Sequence, residues 1–165
     1  MDTPERMRPL VVSREMTTLR SLWSIVESHS WQVEVPMNAN HRALGRKTIR
    51  VLVAENSRIH TRLLADALTR NAALEVIPFE SDPSGLVARA MAQDIDVLVI
   101  SSDLDEQPSY GFEILHKLRA VHRGTRAVML LDSSKEEAVL KAFRGGARGV
   151  FDKNEPLELL SKCIE

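Results

Sequence analysis

Residues 96–101 read DVLVIS, an almost continuous apolar run with three β-branched residues. Such a run is typical of a central strand in a parallel sheet, because helices cover both faces of that strand. Similar runs occur at residues 49–54, 74–78, 127–131 and 149–151, and segments with apolar residues at helical spacing separate them. The alternation predicts an α/β domain with a doubly wound, five-stranded parallel sheet.

Polar motifs and apolar spacing predict where the helices lie. Glycine accepts the left-handed conformation that often ends a helix, so the pair at 145–146 favours a helix C-terminus. Ser, Asp and Asn are typical N-caps. The candidate caps are Asn56 or Ser57, Asp82 before Pro83, and the capping-box pair Ser134 and Glu137. The predicted buried face of the first helix of this α/β repeat consists of Ile59, Leu63, Leu64, Ala67 and Leu68.

The functional site of a doubly wound sheet lies beyond the carboxyl ends of its strands. In this chain several polar residues follow directly after predicted strands, and a site built from them would lie at one edge of the sheet. These residues are Glu55, Asn56, Ser101 to Asp105, Asp132 and Lys153.

Three segments resemble the receiver domains of two-component response regulators, most closely those linked to helix-turn-helix output domains. They are IRVLVAENSRIHTRLL at 49–64, IDVLVIS at 95–101 and AFRGGARGVFDKN at 142–154. The resemblance covers residues 47–165 and implies a flavodoxin-like receiver domain at 48–165, whose last helix is short for this family. Residues 1–36 are then an N-terminal extension, and residues 37–47 are a linker.

The resemblance also implies a chemistry against which each position can be compared. In a receiver, an aspartate at the end of the third strand takes a phosphoryl group with the help of a divalent cation held by carboxylates. Here the acceptor position is Ser101, the acidic pair is Glu55 and Asn56, and only Lys153 matches the family fully. The position of the switch hydroxyl is Leu131, next to Asp132.

These departures predict a pseudo-receiver that is not an enzyme, has no catalytic residue and needs no metal or cofactor. A serine is not a ready nucleophile without an adjacent base. One alternative stays open, because the spacing from Asp103 to Gly111 equals the acceptor-to-glycine spacing of ordinary receivers. In that alternative Asp103 is the phosphoacceptor, and Glu55 and Asp103 bind Mg²⁺.

The resemblance implies that the domain works through a protein partner or as a homodimer, and a sensor kinase is a further candidate partner. The expected face consists of the receiver's fourth helix, fifth strand and fifth helix. The formal net charge of −1 gives no reason to expect direct nucleic-acid or membrane binding, and a single cysteine, Cys163, favours a cytoplasmic protein. The predicted interface residues are Ala142, Arg144, Arg148, Phe151 and Leu157.

Residues 1–36 permit three interpretations. They contain a candidate strand at 10–12, an apolar stripe at helical spacing, and both tryptophans of the chain, Trp23 and Trp31. The segment is a degenerate copy of a β-α-β half, a helix that docks on the receiver or on a second copy, or an extension before a true start at Met37. The sequence does not distinguish between these three interpretations. It also leaves open the oligomeric state and whether the chain is part of a longer regulator. The stripe consists of Met16, Leu19, Leu22, Trp23 and Val26.

Overall fold

The computed structural model describes Leu10–Val12 and residues 48–165 of the chain. Six strands form one sheet, and every pair of neighbouring strands is parallel. The strand order is β1-β6-β5-β4-β2-β3. The strands are β1 (Leu10–Val12), β2 (Ile49–Ala54), β3 (Leu74–Pro78), β4 (Val97–Ser101), β5 (Arg126–Leu131) and β6 (Gly149–Asp152).

Helices cover both faces of this sheet. Helices α1 and α5 pack on one face, and α2, α3 and α4 pack on the other. The helices are α1 (Arg58–Leu68), α2 (Leu86–Ala92, preceded by a 3-10 turn at Pro83–Gly85), α3 (Tyr110–Val121), α4 (Glu136–Gly145) and α5 (Leu157–Ile164). Among the residues that the structure describes, no helix has the length and apolar character needed to cross a bilayer.

The predicted doubly wound, five-stranded parallel sheet is confirmed by β2 to β6. The structure adds a sixth strand, because β1 pairs with β6 in the register Leu10 with Gly149 and Val12 with Phe151. In a five-stranded sheet β6 would be an edge strand. Here the chain's own N-terminal strand covers that edge.

Alternation along the strands creates two separate cores. In β4, Leu98 and Ile100 face α2 to α4, whereas Val97 and Val99 face α1 and α5. All five residues of β4 are buried, as its apolar run predicted. Full burial of one such aliphatic side chain contributes about 1.5–3 kcal/mol, so this strand is a major source of stability.

Two of the predicted caps are present. The Ser57 hydroxyl accepts a hydrogen bond from the N–H of His60 at 3.2 Å, and the Asp82 carboxylate accepts one from the N–H of Ser84 at 2.8 Å. Gly146 has φ of 107° and ends α4 in the left-handed conformation. Glycine is therefore the residue that this helix end favours.

The capping-box interpretation of Ser134 was wrong. Helix α4 begins at Glu136 with Lys135 in the cap position, and Lys135 makes no side-chain capping bond. The N–H and hydroxyl of Ser134 both donate to the carboxylate of Asp152, at 3.1 and 2.7 Å. This partner at the end of β6 takes the hydroxyl away from the helix.

The predicted buried face of α1 was also partly wrong. Leu68 is fully buried, but the side chains of Ile59 and Leu63 are 71% and 61% exposed. They lie one turn apart on the side of α1 that faces away from the sheet. Helical spacing identified an apolar stripe wider than the surface that the sheet can cover.

Candidate functional site at the carboxyl edge of the sheet

Four neighbouring strands bring their polar residues to one edge of the sheet. The pairing of Ala54 with Ile100, of Ser101 with Leu130 and of Leu131 with Asp152 aligns the strand ends. The residues at or just after these ends are Glu55, Ser101, Asp132 and Lys153.

The ammonium of Lys153 lies at the centre of this group. Its Nζ donates to the Ser101 hydroxyl at 2.8 Å and lies 3.2 Å from the Glu55 carboxylate. A third oxygen, Oδ1 of Asp132, lies 3.0 Å away. The N–H of Lys153 donates to the carbonyl of Leu131 at 2.9 Å, which fixes the backbone beside β5.

The three oxygen partners of Lys153 differ in their access to water. Ser101 is fully buried, and the Glu55 side chain is only 7% exposed. The Asp132 side chain is 64% exposed. Because water screens exposed charges, the contact with Glu55 is the stronger of the two ion pairs.

The side chain of Asn56, the second residue of the predicted acidic pair, contacts His60. Asn56 is exposed, and its Oδ1 lies 2.9 Å from Nδ1 of His60 in the first turn of α1. Sequence reasoning gave His60 no role. The four-residue spacing of the pair is the signal that would have indicated this contact.

Asp103, the alternative acceptor, is engaged in its own loop. Its carboxylate accepts a hydrogen bond from the N–H of Ser109 at 2.7 Å, while its N–H donates to the Ser101 hydroxyl at 3.4 Å. The side chain that Lys153 contacts is therefore Ser101, and the carboxylate of Asp103 holds the loop before α3.

A tight turn lengthens this loop. Leu104 and Gln107 exchange backbone hydrogen bonds of 3.3 and 2.8 Å across Asp105 and Glu106. The two central residues have φ of 51° and 59°, as in a type I′ turn. The turn adds residues to the loop between Ser101 and Gly111.

Gly111 is required by the close approach of α3 to the end of β4. A Cβ atom at this position would lie 1.9 Å from the carbonyl oxygen of Ser101. The N–H of Gly111 donates to the carbonyl of Ser102 at 2.9 Å. Sequence reasoning used this glycine only to count spacing and missed its steric role.

The predicted switch position has no hydroxyl near the site. Leu131 is 2% exposed and ends β5 within the core, and the neighbouring Asp132 points to Lys153. Ser134 on the following loop is engaged elsewhere, because its hydroxyl donates to the carboxylate of Asp152. Burial alone would raise the pKa of the Asp152 carboxyl, but hydrogen bonds from Ser134 and Asn154 outweigh it and lower the pKa below its usual value.

The structure separates the predicted interface residues into two groups. Arg144 and Arg148 are exposed, and Leu157 is half-buried. Ala142 and Phe151 are 0% and 3% exposed within the domain core. These last two residues cannot touch a partner while the domain keeps this fold, so that part of the predicted face was wrong.

Within residues 10–12 and 48–165, no group of three or more His, Cys, Asp or Glu side chains is placed to hold a metal ion. The two residues of the alternative metal site, Glu55 and Asp103, have their carboxylates bound by Lys153 and by the N–H of Ser109.

No protein-family model and no curated protein matches the sequence. Many solved structures share the fold. The receiver domain of the response regulator NarL from Mycobacterium tuberculosis has a TM-score of 0.64 at 18% identity, covering 72% of this chain and 94% of that one.

Two other solved structures show how widely this fold occurs. The response regulator domain of Thermotoga maritima CheB has a TM-score of 0.59 at 25% identity, covering 70% of this chain and 93% of its own. A pilus assembly-related protein from Burkholderia pseudomallei K96243 has a TM-score of 0.62 at 21% identity, covering 73% and 89%.

Proposed function

Because residues 48–165 have the fold of a response-regulator receiver domain, we propose that the chain acts in signal transduction as a pseudo-receiver. It works by protein–protein interaction in the cytoplasm and is not phosphorylated on an aspartate. The observation that carries the proposal is the bond from the Lys153 ammonium to the buried Ser101 hydroxyl, at the strand end where receivers have their acceptor.

The surroundings of Ser101 argue against its use as a nucleophile. Its hydroxyl oxygen accepts hydrogen bonds from two donors, the ammonium of Lys153 and the N–H of Asp103. Activation of a serine requires the opposite arrangement, a base that takes the hydroxyl proton. The contacts therefore favour a structural hydroxyl over a reactive one.

The residues at this edge do not fit a hard divalent cation. Mg²⁺ prefers oxygen ligands, and in proteins it is usually held by one or two carboxylates that are free to bind it. Here Lys153 binds the Glu55 carboxylate, and Asn56 offers only a neutral amide oxygen that contacts His60. No Mg²⁺ is therefore part of the proposed function.

The ion-pair network suggests what replaces phosphorylation. In a receiver, the lysine pairs with the phosphoryl group. Here Lys153 already has two carboxylate partners from the chain itself, Glu55 and Asp132. The domain then presents one constant surface to a protein partner or a second copy, with Arg144 and Arg148 exposed on the side of α4 and the loop after it.

Phosphorylation itself is the direct test. The full chain is incubated with acetyl phosphate and Mg²⁺, and its intact mass is measured beside an ordinary receiver as positive control. We expect no phosphoryl adduct on the wild type or on Asp103→Asn. A stoichiometric adduct on the wild type that disappears in Asp103→Asn would establish the alternative, a phosphorylatable receiver that uses Asp103.

A further inference from the structure

An open groove separates α1 from α5. It forms a cavity of about 470 Å³ that begins at the polar group around Lys153 and continues along the helices. Its apolar walls come from both helices and are formed by Leu63, Leu64, Ala67, Leu157 and Leu160.

Helix α1 exposes two large apolar side chains, one of which, Leu63, lines the groove. Ile59 and Leu63 lie one turn apart on α1, with exposures of 71% and 61%. Single exposed apolar residues are common, but this pair extends the apolar surface of the groove, and large contiguous apolar patches mark interaction sites. A segment that covers this pair would remove a large apolar area from water.

The strand order relates each face of the sheet to one direction of crossover. From β2 to β3 the chain moves towards the β3 edge of the sheet, and the connecting helix α1 lies on the groove face. The connections from β3 to β4, β4 to β5 and β5 to β6 move in the opposite direction, with α2 to α4 on the other face. Crossovers towards the β3 edge therefore lie on one face of the sheet, and crossovers away from it lie on the other. This is what crossover connections of a single handedness require.

The connection from β1 to β2 moves in the same direction as that from β2 to β3. Crossovers between parallel strands are right-handed in about 98% of cases. A right-handed connection from β1 to β2 would therefore run over the face that carries α1 and α5. The groove between those two helices opens on this same face.

Residues 16–26 of this connection carry the apolar stripe found in the sequence. An eleven-residue helix is about 16 Å long, which suits the length of a groove between two short helices. From these observations we propose that this segment packs its stripe into the groove of the same chain and covers Ile59 and Leu63. The stripe residues are Met16, Leu19, Leu22, Trp23 and Val26.

The proposal changes the role of the N-terminal segment. It makes residues 16–26 part of the receiver's packing, joined to the sheet on one side by β1. Any protein that binds the outer face of α1 must then displace this segment first. The inference uses topology and apolar exposure only, so it stands whether or not the domain is a pseudo-receiver.

Tryptophan fluorescence of the full chain tests the proposal. The chain has two tryptophans, so Trp31→Phe leaves Trp23 as the only reporter. We expect Trp23 to emit at short wavelength and to resist quenching by acrylamide. Adding Leu63→Glu to this background is expected to shift the emission to longer wavelength and to increase quenching. Leu63 is 61% exposed, so the domain itself tolerates this change.

Val121→Glu in the same background is the matched control. Val121 is 60% exposed and lies at the end of α3, on the opposite face of the sheet. It should leave the emission of Trp23 unchanged, and far-UV circular dichroism should show that both variants remain folded.

Three outcomes would overturn the proposal. One is a Trp23 that is quenched as strongly as in urea. Another is a protected Trp23 that Leu63→Glu does not affect, or that Val121→Glu affects equally. The third is protection that disappears on dilution, because it would mean that a second copy supplies the segment.

Discussion

The oxygen atoms around the Lys153 ammonium come from the ends of three different strands, β2, β4 and β5. Of its two carboxylate partners, Glu55 is the buried one. Removing the ammonium leaves a nearly buried carboxylate unpaired, which is much more costly than losing an exposed ion pair. The lysine therefore stabilises these three strand ends.

Lys153→Met is expected to lower the free energy of unfolding by about 1–3 kcal/mol, below the range for fully buried pairs because the lysine is partly solvated. Urea unfolding measures this loss of stability. Adding Glu55→Gln should recover part of the loss, because the second change removes the unpaired charge. Asp132→Asn is the control. Loss of this exposed ion pair should lower the free energy of unfolding by less than about 1 kcal/mol. Equal losses in Lys153→Met and Asp132→Asn would contradict a dominant contact with Glu55.

Gly111 illustrates a requirement set by a backbone atom. A methyl group at this position would overlap the carbonyl oxygen of Ser101, so α3 would have to shift away from β4. Gly111→Ala is expected to destabilise the domain by about 1–3 kcal/mol, as other overpacked sites do. Gly85→Ala is the matched control in thermal unfolding, because its Cβ would lie 3.9 Å from Phe79, an ordinary contact distance. Similar melting temperatures for both variants would contradict the steric role.

At the scale of elements, the turn before α3 carries local strain. Asp105 and Glu106 both have positive φ, a conformation that costs roughly 1–2 kcal/mol per residue for most side chains. Asn-Gly is the dipeptide that type I′ turns prefer. This acidic turn is therefore a site of stored backbone strain.

Replacing the pair by Asn-Gly is expected to raise the free energy of unfolding by about 1 kcal/mol. The control is Asp105→Asn with Glu106→Ala, which removes the same two charges but retains a Cβ at the second position. Denaturant unfolding should show stabilisation for Asn-Gly only. Equal stabilisation of both would indicate that charge repulsion, and not backbone strain, was relieved.

The link between β6 and the loop before α4 is expected to depend on pH. The pKa of Asp152 is lowered in the folded state, so its ionised form stabilises the fold at neutral pH. That contribution is complete above the ordinary aspartate pKa of about 4 and is lost as pH falls through the lower folded value. Ser134→Ala should therefore destabilise the protein at pH 7 by more than at pH 2.5. Ser133→Ala is the control, and a loss independent of pH would contradict this role of the carboxylate.

The sequence predicted correctly those features that depend on neighbouring residues, and it failed where the partner is distant along the chain. The strand at 97–101 and the Ser57 and Asp82 caps depend on neighbouring residues, and the structure has them. Ser134 was misassigned because its partner, Asp152, is 18 residues away along the chain. Ile59 and Leu63 were placed in the core because helical spacing does not reveal how wide a face the sheet can cover.

At the scale of the whole molecule, the pairing of β1 with β6 was beyond prediction, because nothing local in three apolar residues specifies a partner so distant in sequence. The pairing nevertheless determines what the domain presents to others. The predicted interaction face has β6 at its centre, and an unpaired edge strand there would offer backbone groups to another chain. With β1 in place, that edge belongs to the protein's own sheet.

The last prediction follows from this covered edge. Deletion of residues 1–12 removes β1 and leaves β6 unpaired, so the variant is expected to self-associate more strongly than the full chain. Deletion of residues 1–9, which retains Leu10–Val12, is the matched control and should behave like the full chain. Sedimentation velocity over a range of concentrations compares the three. If both deletions leave the distribution of monomers and dimers unchanged, β1 does not control association. Any partner face must then lie on the helices, with Arg144 and Arg148 as the exposed residues to substitute next.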